Sequence, residues 1–259
     1  RAVNGPWVAP INRDPEVLWA ESPEDLETIL ATCPDDTMVA FDIETDQIQW
    51  YDTPEDKADQ ILMLQLCWNE DFVIIVNDAL LYDIPGTIPV LQRFFDRVRT
   101  VGHNAKFDAV FLESHLGLKV WQDFDTMLAR YVLDESLPMG LKTIVKLELG
   151  MADYEEDTIM PYLRTRNDKY SKVPAPILAK YGALDVVATL YLQQKYEKEL
   201  KEEGQYEWPF KNIIMEAANA LVQIELKGMH IDRDQLQTVA DAFQRDLDAL
   251  EAKMGSIVG

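Results

Sequence analysis

A chain of 259 residues, 47% hydrophobic and 27% charged, has the composition of an ordinary globular protein with a proper core to bury. No apolar run approaches the roughly 20 residues that span a bilayer, and residues 1–7 hold no signal-peptide segment, so no membrane partner is expected. The net charge of −22 weighs against a polynucleotide substrate, because such a surface repels phosphate unless carboxylates gather divalent cations or a basic segment acts locally. Cys33 and Cys67 form no metal-binding spacing, which argues against a disulfide framework or a structural zinc and fits an intracellular compartment. Since it does not begin with Met, the chain is expected to be a fragment of a longer protein.

In chain order, Ser22 predicts the N-cap of a helix that is the one element of the first 35 residues. Residues 38–44 read as a buried strand entering a polar stretch from Thr45 to Gln60. Residues 61–68 and 72–76 read as two strands joined by a hairpin at Asn69, Glu70 and Asp71. Apolar spacing predicts a helix over 87–98, a short strand over 100–102, and a helix from Lys106 to His115 stopped by Gly117. A strand over 119–123, helices over 126–133 and 141–149, an irregular stretch over 151–176 and a long helix over 177–201 follow. Strands first and strand–helix alternation afterwards predict an α/β fold with a mixed sheet. Beyond Trp208, two further helices are separated by Gly228 and by the N-cap Asp232, giving a C-terminal helical segment.

Three groups of residues stand out. Asp42 and Glu44, two apart on a strand, project from one face, although a strand leaving the core also ends on acids. Asn104 can cap the helix that follows the short strand over 100–102, with Asp108 in its first turn, an ordinary arrangement by itself. Tyr181 and Asp185, four apart on the long helix, share a face, as a core-edge tyrosine and an unrelated acid also would. Taken together, four oxygen donors suit two hard cations, Mg²⁺ or Mn²⁺, better than zinc.

The groups Phe41-Asp42-Ile43-Glu44-Thr45, His103-Asn104-Ala105-Lys106-Phe107-Asp108 and Tyr181-Gly182-Ala183-Leu184-Asp185 resemble the three motifs of the DEDD (DnaQ-like) exonucleases, tyrosine subclass. Phe124-Asp125-Thr126-Met127-Leu128 and Leu141-Lys142-Thr143-Ile144 add a likeness to the proofreading domain of bacterial and phage family A DNA polymerases, over about residues 36–200. The tail, with Glu207-Trp208-Pro209-Phe210 and residues 224–232, resembles the opening of the polymerase domain in those enzymes.

The resemblance implies a ribonuclease H-like sheet flanked by helices, with an exonuclease domain over 1–205 and the helical start of a truncated polymerase domain over 206–259. It implies that Asp42, Glu44 and Asp185 hold one metal and that Asp42 bridges to a second, supported by Asp108, while Tyr181 and Glu44 orient the attacking water. Hydrolysis from the 3′ end of single-stranded DNA or a frayed primer terminus then releases nucleoside 5′-monophosphates. Polymerisation is not expected, since no polymerase carboxylates are present. Asn104 matches a position that contacts substrate, and Ile48 one that wedges against the terminal base, although ordinary packing accounts for Ile48 equally well. The implied setting is bacterial cytoplasm, or host cytoplasm for a phage, with the polymerase domain of the parent chain as partner. The basic run containing Arg164, Arg166, Lys169 and Lys172, with Tyr170 as a stacking face, is a candidate contact for DNA phosphates or simply a solvated loop. Two other readings remain open: an RNA 3′-exonuclease of the ribonuclease D kind, and an inactive scaffold of the same fold.

Overall fold

A computed structural model describes residues 15–46, 61–151, 154–163 and 168–258. Strand β1 (Glu16–Trp19) precedes α1 (Pro23–Leu30), whose first turn is capped by Ser22 accepting from the Asp25 amide. Strands β2 (Met38–Thr45), β3 (Ile61–Cys67) and β4 (Phe72–Asn77) follow, then the short α2 (Asp78–Tyr82), α3 (Thr87–Phe95), β5 (Arg99–Gly102) and α4 (Ala105–Leu116). Next come β6 (Phe124–Asp125), α5 (Thr126–Leu133), α6 (Leu141–Ile144) running into a π turn over Val145–Leu149, α7 (Tyr154–Thr158) and the long α8 (Ala175–Glu202). A wide turn over Tyr206–Met215 leads into α9 (Glu216–Lys227), and Asp232 caps α10 (Arg233–Val258).

The sheet is mixed, as expected, in the order β1-β4-β3-β2-β5-β6. The β2–β3 and β3–β4 pairs are antiparallel, whereas β1–β4, β2–β5 and β5–β6 are parallel. Helices cover both faces, which is why the central strands are apolar almost throughout. Val39, Phe41 and Ile43 enter the layer shared with α1, α3 and α4, whereas Ala40 enters the layer shared with α8. Strand alternation therefore turns Asp42 and Glu44 toward α8.

Among the described residues α8 alone is long and apolar enough to cross a membrane, and its apolar stretch is mostly buried against the sheet. The packed unit runs to Leu226, and residues after Tyr206 contribute to it through Phe210 and Met215. Lys227–Gly259 is a second unit, in which Leu236, Val239, Phe243, Leu247, Leu250 and Met254 recur at three- and four-residue spacing along α10.

Four local readings are corrected. The first 35 residues also contain β1, which carries too few residues for an alternation to show. The strand expected over 119–123 lies instead at Phe124–Asp125. The stretch over 151–176 contains α7 and two 3₁₀ turns, Met160–Tyr162 and Tyr170–Lys172. Asn104 makes no capping bond with its side chain, because it adopts a left-handed conformation (φ 62°) in the turn from β5 to α4. The cap comes from Asp125, whose carboxylate accepts from the backbone N–H groups of Asn104, Ala105, Met127 and Leu128 and so starts both α4 and α5. Gly102 makes the same turn possible, since a Cβ there would come within 2.6 Å of the Ala105 Cβ.

Replacing Asp125 by Ala orphans these amides and should lower stability by about 2–4 kcal/mol in denaturant unfolding. A loss below about 1 kcal/mol would show that the turn does not depend on this carboxylate.

Candidate active site

Strand β5 pairs with β2 only as far as Ala40, so the following part of that β2 edge has no strand beside it. The N–H of Ile43 is satisfied instead by Asp108 Oδ1 at 3.1 Å, a buried bond from the first turns of α4. Asp42 and Glu44 flank that amide, and α8 crosses the same strand end with Asp185. One carboxylate oxygen from each of Asp42, Glu44 and Asp185 lies within 4.8 Å of the others. The structure thus brings Asp42, Glu44, Asp108 and Asp185 to one corner between sheet and helices. Asp42 is half-buried; the other three are buried.

Tyr181 is buried one turn before Asp185 and is enclosed by aromatic neighbours. Its ring centroid lies 5.9 Å from that of Tyr154 and 6.3 Å from that of Tyr170. The Tyr154 hydroxyl donates to Asp185 Oδ1, and the Lys142 ammonium pairs with the same oxygen. Lys142 Nζ also lies 3.1 Å from the Tyr154 hydroxyl and stands over both rings, 4.1 Å from the Tyr181 centroid and 4.3 Å from the Tyr154 centroid. Neither Lys142 nor Tyr154 was singled out as a site residue from the sequence. Lys142 falls within a stretch matched for family likeness, but Tyr154 sits in a stretch without a visible pattern.

His103 is also structural rather than a site residue. Its Nδ1 meets Thr126 Oγ1 and its Nε2 meets the Met139 carbonyl, both at 2.8 Å, and burial pushes its pKa down to about 4. It therefore ties the β5–α4 turn to the loop that carries α6. Gln65, the cross-strand partner of Asp42, is fully buried against Gly182 of α8. A Cβ at Gly182 would lie 2.4 Å from Gln65 Nε2, so α8 approaches the sheet this closely only with glycine between Tyr181 and Asp185.

Asn104 is exposed at the start of α4. The Ser171 amide donates to Asp46 Oδ1 at 2.7 Å, which anchors the basic run two residues past Glu44. Lys169 and Lys172 are exposed there, and Lys172 pairs with Asp168 at 2.8 Å. Tyr170 packs its ring edge-on to Tyr181 instead of standing free. Ile48, Arg164 and Arg166 lie outside the described residues.

Electrostatically the corner disfavours negative charge. Burial, then the Asp185 carboxylate, pushes Asp42 up to about 8, with Lys142 opposing. Burial and Asp42 also raise Glu44 and Asp108 well above the ordinary carboxylate range. Burial, followed by Asp185 and Glu44, raises the Tyr181 hydroxyl well above its ordinary value of 10, at which it is already protonated at neutral pH. Glu44 Oε1 is buried and has no hydrogen-bond partner among the described residues. All the converging donors are carboxylate oxygens, the chemistry that hard divalent cations take.

The sequence model of a 3′-5′ exonuclease family matches residues 17–201. The DNA polymerase of Bacillus phage SP01 is 29% identical over 181 residues, which are 65% of this chain and 19% of that one. The DNA polymerase of Escherichia phage T5 is 26% identical over 233 residues, 83% of this chain and 26% of that one. The chain therefore spans about a fifth to a quarter of the length of these relatives. Among solved structures, Brucella melitensis NrnC shares the fold, with a TM-score of 0.60 at 15% identity over 83% of this chain and 95% of that one. Structures of that protein hold bound Mg²⁺ and bound pGG.

The raised carboxylates predict a pH dependence. Asp42 keeps a proton in the folded state up to about pH 8, whereas the unfolded chain releases it near 3.8. The folded protein then binds more protons, and stability falls as pH rises through this interval. His103 acts with the opposite sign, but its contribution is complete above 6.5. In EDTA the melting temperature should therefore fall between pH 6.5 and about 8, and Asp42→Asn should flatten the slope; a rise over that interval contradicts the assignment. Gly182→Ala should cost about 1–3 kcal/mol in chemical unfolding by wedging α8 from the sheet, and an unchanged midpoint would show that Gln65 yields freely.

Proposed function

This chain belongs to the 3′-5′ exonuclease family of the family A DNA polymerases, and from that premise we propose that it hydrolyses DNA from the 3′ end as a proofreading activity with two divalent cations. The convergence of Asp42, Glu44 and Asp185 oxygens within 4.8 Å, with Glu44 Oε1 buried and unpartnered among the described residues, carries this reading. Such a cluster is electrostatically costly without cations and fits the oxygen preference of Mg²⁺ or Mn²⁺. Asp42, Glu44 and Asp185 would hold one cation and Asp42 with Asp108 a second; bound there, the cations supply charge stabilisation to the phosphodiester oxygens and lower the pKa of water.

The protein groups do the positioning. Asp108 uses Oδ1 to hold Ile43, which fixes the strand backbone between Asp42 and Glu44. Tyr181 keeps its proton and, with Glu44, orients the attacking water. The release of a nucleoside 5′-monophosphate follows from attack at the terminal phosphodiester. Lys169 and Lys172 offer positive charge to the DNA backbone beside the β2 end, and Arg164, Arg166, Ile48 and Asn104 complete the proposed substrate contacts. Residues 1–205 form the proposed exonuclease domain and 206–259 the start of a polymerase domain, which the parent chain would place alongside.

Single-stranded DNA labelled at the 3′ or the 5′ end, digested with Mg²⁺, Mn²⁺ or EDTA, tests the proposal. Mononucleotides should leave from the 3′ end only when metal is present, and Asp42→Ala should abolish the reaction. Wild-type protein that binds DNA without degrading it would favour a scaffold, and faster digestion of RNA would favour a ribonuclease. Mn²⁺ at about 100 times its dissociation constant should stabilise the folded state by about 2.7 kcal/mol, or roughly 5–10 °C in melting temperature. A calorimetric scan without such a shift would count against metal binding.

A further inference from the structure

Lys142 stands among groups that all present negative potential to it. Its ammonium contacts Asp185 Oδ1, lies 3.1 Å from the Tyr154 hydroxyl and sits over the faces of Tyr154 and Tyr181 at 4.3 and 4.1 Å. Among the described residues it is the one Lys or Arg in contact with the acidic corner, and its charge favours the ionised forms of both Asp42 and Glu44. Its side chain is 21% exposed, against 8% for Asp185, so the side chain reaches solvent, and its four-carbon stem is flexible.

Asp185 is also a proposed metal ligand. An ammonium and a divalent cation on one carboxylate oxygen are like charges in contact, so they compete for it. We propose that Lys142 is the resident counter-ion of the acidic corner, and that a divalent cation binds there by displacing its ammonium from Asp185. Lys142 then holds α8 against α6 in the metal-free protein and sets the metal affinity of the site. This inference rests on the metal-binding reading above.

The test titrates Mn²⁺ without DNA, followed by electron paramagnetic resonance, and records melting temperatures in EDTA and in saturating Mn²⁺. Lys142→Met keeps the length of the side chain and removes its charge; Lys142→Arg keeps the charge. Lys142→Met should bind Mn²⁺ roughly tenfold more tightly, and it should lose melting temperature in EDTA but much less in Mn²⁺. Lys142→Arg should stay near the wild type in affinity. Should the Met variant fail to fold in EDTA, Lys142→Gln replaces it in the same comparison. A wild type that binds Mn²⁺ with an uncharged variant that binds no more tightly overturns the displacement alone. Equal losses of melting temperature in EDTA and in Mn²⁺ also overturn it, since a lysine that only packs would behave so. A wild type that binds Mn²⁺ no better than Asp42→Asn overturns the metal reading, and the displacement with it.

Discussion

Four carboxylates held in one corner of low polarity are the constraint around which the rest of the protein is arranged. Asp42, Glu44, Asp108 and Asp185 come from three separate elements, β2, α4 and α8, and each element would relax by moving its acid outward into water. What prevents this is packing elsewhere along the same elements. Helix α8 is buried along most of its length, and β2 lies inside the sheet between β3 and β5. The energy that confines the acids is thus hydrophobic burial at a distance from them. Close at hand, Lys142, the Tyr154 hydroxyl and the Ile43 amide offset part of the repulsion.

The position of Lys142 has its own chain of supports. Glu148, just past α6, pairs with Arg130 of α5 and Lys195 of α8, and this largely buried triad pins the π turn between two helices. Buried charges of this kind add little net stability, but breaking one leaves its partner stranded, so they define geometry. His103 bonds the loop before α6 to Thr126, and Asp125 starts both α4 and α5. Asp108 in α4 and Lys142 in α6 therefore refer back to one small hub at the ends of β5 and β6.

The net charge of −22 stands against the proposed nucleic-acid substrate, and its distribution bears on that conflict. Part of it is the acidic corner itself, which the proposed cations would neutralise. The Ser171–Asp46 bond brings the exposed Lys169 and Lys172 close to the end of β2, although Lys172 is paired with Asp168.

The sequence by itself determined the element types, because long apolar periodicities and strong caps such as Ser22 and Asp232 act within a few residues. It also identified Asp42, Glu44, Asp108, Tyr181 and Asp185 as a set, through three ordered motifs and their resemblance to a known family. Short elements were missed or misplaced: β1 escaped it and β6 was expected a few residues early, since four and two residues are too few for a period to register. Only the tertiary structure decided which groups face those acids. Lys142 and Tyr154 lie 43 and 31 residues from Asp185, and Asp125 caps a helix that begins 20 residues before it. Local patterns report on neighbours three or four residues away, whereas a charge in a low-dielectric corner is balanced by whatever the fold carries to it.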